Sequence, residues 1–159
     1  PSDVVLDLLA EERGAVSVLE FNQSEENLKA VLTHPLCNVV SDGFYVKGRP
    51  HPRLYGAFPL LLGEKCRHRR WLTLAEAVRK VTDLPARRYG LVKRGRLEPG
   101  YFADLVVFDA GFIGSPATYE KPDAAPVGIR RLFRNGKELR LNELSGRATE
   151  RRNLCGKIG

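Results

Sequence analysis

The stretch AVSVLEFNQSEENLKAVLTHPLCNVVSDG, residues 15–43, decides the fold class. Ala15–Phe21 is a short apolar run with β-branched residues, the pattern of a buried strand. Ser24 then reads as a cap, and Leu28, Val31 and Leu32 recur at helical spacing. Cys37–Val40 is a second short apolar run, closed by Ser41-Asp42-Gly43. Strand, helix and strand with short connections describe a parallel α/β unit.

Working outward, Ser2 or Asp3 is placed to cap a helix over Val4–Glu12, with Val5, Leu8 and Leu9 on one face. Residues 44–57, rich in Gly, Pro, Arg and aromatics, read as a loop. Phe58–Arg69 reads as a helix starting near Pro59. Thr73-Leu74-Ala75-Glu76 is a capping box opening a helix to about Val81, and Pro85 begins a second short turn. From Gly95 the texture turns to β. Ala103–Asp109 is a strand, and Ile129–Arg134 and Lys137–Leu141 flank Asn135-Gly136, a strong hairpin signal. This second part is expected to pack sheet on sheet.

The chain has 159 residues, 43% of them hydrophobic and 28% charged, which excludes disorder, collagen and a coiled coil as the main description. No apolar run approaches the ~18 residues of a membrane span, and no signal peptide is visible. Three scattered cysteines point to a reducing compartment, taken as cytoplasmic. The chain begins Pro1-Ser2-Asp3 and contains no methionine, so it reads as a processed product, a fragment or a partial reading frame.

The net charge of +7 is uneven: residues 1–46 hold eight acids and two bases, and the remainder carries +13. Such asymmetry raises the question of an anionic partner. The bases are dispersed and not interleaved with exposed aromatics, which favours packing against acidic segments over nucleic acid. Thr73–Leu91 resembles a helix-turn-helix, but its second element reaches Gly90 after about one turn, too short to read a major groove.

Two residues suit chemistry. Asp42 follows an apolar run and precedes a glycine, where α/β folds place functional groups. It is either a general base or metal contact, or a loop carboxylate binding nearby backbone N–H groups. Arg53, in His51-Pro52-Arg53-Leu54, is either a carboxylate clamp or a surface arginine. His34-x-x-Cys37 and Cys66-x-His68, with His51 and Cys155, make no complete zinc pattern.

The residues then resemble a family. His34-Pro35, Val40-Ser41-Asp42-Gly43, His51-Pro52-Arg53-Leu54-Tyr55-Gly56-Ala57-Phe58-Pro59, Leu74-Ala75-Glu76-Ala77-Val78-Arg79-Lys80, Leu84-Pro85-Ala86-Arg87, Gly90-Leu91, Arg94-Gly95, Gly100-Tyr101-Phe102-Ala103-Asp104-Leu105-Val106-Val107-Phe108-Asp109 and Asn135-Gly136 occur in the order of the C-terminal part of N-acyl-D-amino-acid deacylases (D-aminoacylases), in the amidohydrolase superfamily. The resemblance implies an α/β fold: the C-terminal fragment of a (β/α)8 TIM barrel, residues 1–93, followed by part of a small β-sandwich, residues 94–159. Residues 16–22 and 37–42 would be the seventh and eighth strands, and 58–90 the helical return.

The resemblance also implies chemistry. In the family, zinc activates water for attack on the amide of an N-acyl-D-amino acid. An Asp at the end of the eighth strand takes the water's proton and delivers it to the leaving amine; that position is Asp42. Arg53 matches the arginine that binds the substrate α-carboxylate, and Ser41 and His51 join it as substrate-binding residues. The family's zinc ligands lie N-terminal to this chain, so it holds none of them. The missing N-terminal part is thus an expected partner, neither nucleic acid nor membrane is, and two strands of eight cannot close a barrel of ~250 residues. The alternatives are a non-catalytic remnant or interaction module, and an amidohydrolase acting on a cyclic amide.

Overall fold

The structure, a computed structural model, describes residues 2–16, 22–46 and 48–140. The strand expected over Ala15–Phe21 falls mostly on residues 17–21 and lies outside them, as do Leu141, Cys155 and everything between and beyond. Helix α1 runs Ser2–Glu11, taking in both residues expected to cap it and setting Asp3 in its positive first turn. Helix α2, Glu25–Thr33, starts as expected at Ser24, whose Oγ accepts the Asn27 N–H at 3.0 Å.

The expected strand Cys37–Val40 joins no ladder among the described residues. The Cys37 carbonyl at its start is engaged by a side chain. The Lys80 ammonium, on a residue only 4% exposed, donates to the carbonyls of His34 at 2.6 Å and Cys37 at 3.2 Å. Val39 N–H in turn reaches the Lys80 carbonyl at 3.3 Å. A buried ammonium bonded to two backbone oxygens therefore pins the run leading into Asp42.

Residues 44–57 are not a plain loop. Strands β1 (Tyr45–Val46) and β2 (Arg49–Pro50) pair antiparallel around Gly48, and helix α3 covers Arg53–Leu60. Pro52, not Pro59, supplies the helix entry, so Pro59 lies inside the helix. There it has no N–H to give the preceding turn. From Leu61 to His68 the same helix continues with π winding, and at its end the Arg69 N–H reaches the Glu64 carbonyl five residues back at 2.9 Å.

Helix α4, Leu74–Val81, opens on the expected capping box: Glu76 N–H donates to Thr73 Oγ1 at 3.2 Å and Thr73 N–H to Glu76 Oε2 at 2.8 Å. Helix α5, Asp83–Arg88, is six residues long. The core gathers Leu32, Leu61, Cys66, Leu72 and Ala77 from α2, the π segment, the connection after it and α4, with Val39, Leu62, Trp71 and Val81 packed on it.

The β part forms a three-stranded antiparallel sheet in the order β3 (Leu105–Phe108), β4 (Ile129–Arg134), β5 (Lys137–Leu139). Asn135 and Gly136 turn the hairpin with φ of 50° and 79°, as a two-residue turn requires. Asp104 fastens that turn by accepting the Asn135 N–H at 2.8 Å and pairing with Arg94. The hydrogen bond from Asn135, then the bond and charge of Arg94, hold the Asp104 carboxyl below its usual range.

The β part meets the helices along α3 and its π continuation. Added Cβ atoms would lie 2.4 Å from Ser115 Oγ at Gly56 and 2.5 Å from the Ile113 carbonyl at Gly63. Glycine at 63 lets two backbones touch, and at 56 it leaves room for the Ser115 side chain. Arg67 Nη1 completes the seam on the carbonyls of Ala110 and Ile113 at 3.0 and 2.9 Å. No helix among the described residues is long and apolar enough to cross a membrane.

Replacing Lys80 with methionine keeps the stem and strands the two carbonyls. At ~1–3 kcal/mol for an unsatisfied buried group, urea denaturation of the whole protein is expected to show a loss of about 2 kcal/mol or more.

Candidate active site

The site is built where the run after Lys80's two carbonyls meets the start of α3. Asp42 sits at φ 44°, the left-handed region, which an aspartate tolerates better than most residues. The next residue must be glycine: a Cβ on Gly43 would stand 2.6 Å from the Leu54 Cα. That approach lays Asp42 beside the first turn of α3.

Arg53 grips Asp42 twice. Its Nη2 lies 2.8 Å from Oδ2, and its Nε donates to the Asp42 carbonyl at 2.7 Å. The Asp42 side chain is 73% exposed and that of Arg53 36%. The pair is open to solvent, so it holds geometry more than it adds stability. Arg53 also lies over the Phe44 ring, 5.0 Å from its centroid.

His51 stands behind Arg53. Its N–H donates to the Phe44 carbonyl at 3.1 Å, and its ring Nδ1 accepts the Arg53 backbone N–H at 3.1 Å. On the other side the Tyr119 ring meets His51 edge-on, centroids 5.4 Å apart. Burial first, then the charge of Arg53, push the His51 pKa below its ordinary 6.5, with Asp42 opposing.

A cleft of about 290 Å³ opens alongside. His51, Arg53, Ala57 and Leu60 line one wall, and Ala117 and Tyr119 the other. Arg49 Nη2 secures that second wall through the carbonyls of Tyr119 and Glu120, at 3.1 and 3.2 Å. A guanidinium at one end of a mostly apolar cleft suits a small molecule with a carboxylate and an apolar body.

Of the four residues expected from sequence, the structure brings Asp42, Arg53 and His51 together. Ser41 is half-buried next to Asp42, and its hydroxyl bonds no described residue. Sequence reasoning missed Tyr119, 68 residues from His51, because no local pattern marks it. His34, Cys37, Cys66 and His68 converge on nothing: no group of three or more His, Cys, Asp or Glu among the described residues is placed to hold a metal.

A model of the amidohydrolase family matches residues 20–140. An N-acyl-D-glutamate deacylase of Alcaligenes xylosoxydans xylosoxydans is 44% identical over 116 residues, 73% of this chain and 24% of that protein. A D-aminoacylase of the same organism is 39% identical over 142 residues, 82% of this chain and 29% of that protein. The crystal structure of the N-acyl-D-glutamate deacylase of Bordetella bronchiseptica, complexed with zinc and a phosphonate mimic of the tetrahedral intermediate, superposes with a TM-score of 0.71 at 45% identity, over 73% of this chain and 24% of that one. The chain thus spans 24% and 29% of the length of these two curated relatives.

Gly43→Ala is expected to destabilise the whole protein by ~1–3 kcal/mol, as backbone overpacking does. Asp42→Asn should stay within the ~0–1 kcal/mol of an exposed ion pair. Paired denaturation curves check both.

Proposed function

The chain belongs to the amidohydrolase family, and from that premise we propose that it is the C-terminal part of a zinc-dependent hydrolase that splits N-acyl-D-amino acids into a carboxylate and a free D-amino acid. The observation that carries this is the pairing of Asp42 with Arg53, eleven residues apart in sequence and 2.8 Å apart in space, with Arg53 lining a cleft. Both lie within residues 20–140, which the amidohydrolase family model matches.

Asp42 is read as the proton carrier. As a water oxygen attacks the amide carbonyl carbon, the carboxylate takes the water's proton. It then gives that proton to the amide nitrogen as the C–N bond breaks. Solvent exposure suits a carboxylate that must meet water and then nitrogen. Arg53 is read as the clamp for the substrate α-carboxylate. Its Nη1 bonds no described residue, so an incoming carboxylate takes Nη1 and competes with Asp42 for Nη2. Ser41 is assigned to the same substrate wall.

The described residues do not by themselves fit a metal. Zinc, when bound, supplies Lewis acidity to the reaction, and its ligands are assigned to the part of the relatives that this chain does not span. We assign residues 1–93 to the end of a TIM barrel and residues 94–159 to part of a β-sandwich. Support comes from what lies uncovered. Val4, Val5, Leu6 and Val31 are each more than half exposed, and Asn38 Oδ1 is buried without a partner among the described residues. Such surfaces are completed by further packing.

In the whole protein, Asp42→Asn is expected to remove turnover of N-acetyl-D-amino acids by 10²-fold or more while leaving zinc content unchanged. Arg53→Ala is expected to raise KM about tenfold or more, the loss of a charge-assisted pair, with a smaller change in kcat. Assays on a panel of N-acetyl-D-amino acids, with the L-enantiomers alongside and zinc measured by atomic emission, test this. Near-parental turnover in Asp42→Asn contradicts the reading.

A further inference from the structure

The first turn of α3 accounts for every backbone donor that a helix start leaves open. Leu54 N–H reaches the His51 carbonyl at 3.0 Å, and Tyr55 and Gly56 N–H both reach the Pro52 carbonyl, at 3.2 and 3.0 Å. The remaining donor is that of Arg53. Pro52 stands at the cap position and offers no side-chain acceptor. His51 replaces it from one residue upstream, by accepting the Arg53 N–H on Nδ1 at 3.1 Å.

An accepting Nδ1 fixes the tautomer. The ring is neutral, and its proton sits on Nε2, which faces the Tyr119 hydroxyl at 3.5 Å. Phe44 on one side, centroid 6.2 Å away, and the edge-on Tyr119 on the other hold the ring in place. Both ring nitrogens are therefore turned toward this chain, which argues against direct substrate binding by His51.

We propose that His51 is a positioning residue: as the neutral Nε2–H imidazole it caps Arg53 and so aims that guanidinium at Asp42 and at the substrate carboxylate. The proposal rests on the reading of Arg53 as the carboxylate clamp and adds the residue that sets the clamp. Protonation places a hydrogen on Nδ1, opposite the Arg53 N–H and at the positive end of α3. The cap is then lost and substrate capture weakens.

The charged and titratable groups facing His51 fix the sign. Arg53 on α3 disfavours imidazolium, and Asp42 on the preceding loop favours it. On the opposite wall stand the Tyr119 phenol and the Glu120 carboxylate. Hydrogen bonding to Thr118 leads in holding Glu120 below its usual range, and Arg49 on β2 adds to it. With burial added, the balance lies on the neutral side. The neutral cap is thus complete above the ordinary 6.5 and is lost as pH falls below it.

The test is KM and kcat against pH for the whole protein, on the N-acetyl-D-amino acid that turns over best. The parental KM should rise as pH falls below 6.5. His51→Asn keeps an acceptor for the N–H two residues on, as an Asx turn, and has no proton to gain. Its KM at pH 8 should lie within about threefold of parental, with the acid rise gone. His51→Leu should raise KM about tenfold at every pH, with kcat less affected. An acid rise that persists in His51→Asn, or a parental KM in His51→Leu, overturns the proposal. Arg53→Ala separates the two readings. If it raises KM while His51→Asn keeps the acid rise, only the positioning role fails. If it leaves KM unchanged, the clamp reading fails and this proposal with it.

Discussion

The helix from Arg53 to His68 is the member on which the rest depends, and its constraint is close contact at two glycines. At Gly56 and Gly63 there is no room for a side chain against Ser115 and the Ile113 carbonyl. One helix thereby faces the strand-bearing half of the chain with its glycines. It faces the helical core with Leu61 and Cys66, and the candidate site with its first turn. A methyl group at Gly63 would press on the Ile113 carbonyl and push that backbone off the helix.

The site is sparing in its use of residues. A proline entry leaves the helix without a side-chain cap, and the histidine before it fills that place. Arg53, the residue so capped, holds the side chain and the carbonyl of Asp42 with one guanidinium. From the other direction, the Lys80 ammonium fixes the run into Asp42 through two carbonyls. The carboxylate is thus placed by backbone contacts on both flanks and by Arg53 on Oδ2, while its side chain stays 73% exposed. That arrangement separates what holds the group from what the group does.

How far the sequence could be read depended on whether the signal was local. The capping box at Thr73–Glu76 and the Asn135-Gly136 hairpin are local, and both form as their residues dictate. The joining of Asp42 to Arg53 was legible through the Ser-Asp-Gly and His-Pro-Arg segments of the deacylase resemblance. The onset of α3 was not, because its cap is supplied by a histidine ring and its first residues follow a Gly- and Pro-rich stretch. Nor was the bond from the buried Lys80 of α4 to the Cys37 carbonyl, which comes from a distant helix. Tyr119 was out of reach altogether, being brought to His51 by the glycine seam and by Arg49.

The most direct measurement is a crystal structure of the whole protein with zinc and a phosphonate mimic of the tetrahedral intermediate of an N-acyl-D-amino acid. The account predicts the Arg53 guanidinium on the inhibitor's α-carboxylate and an Asp42 carboxylate oxygen within hydrogen-bond reach of the phosphonate. An inhibitor whose carboxylate lies elsewhere, with Arg53 still closed on Asp42, would contradict it.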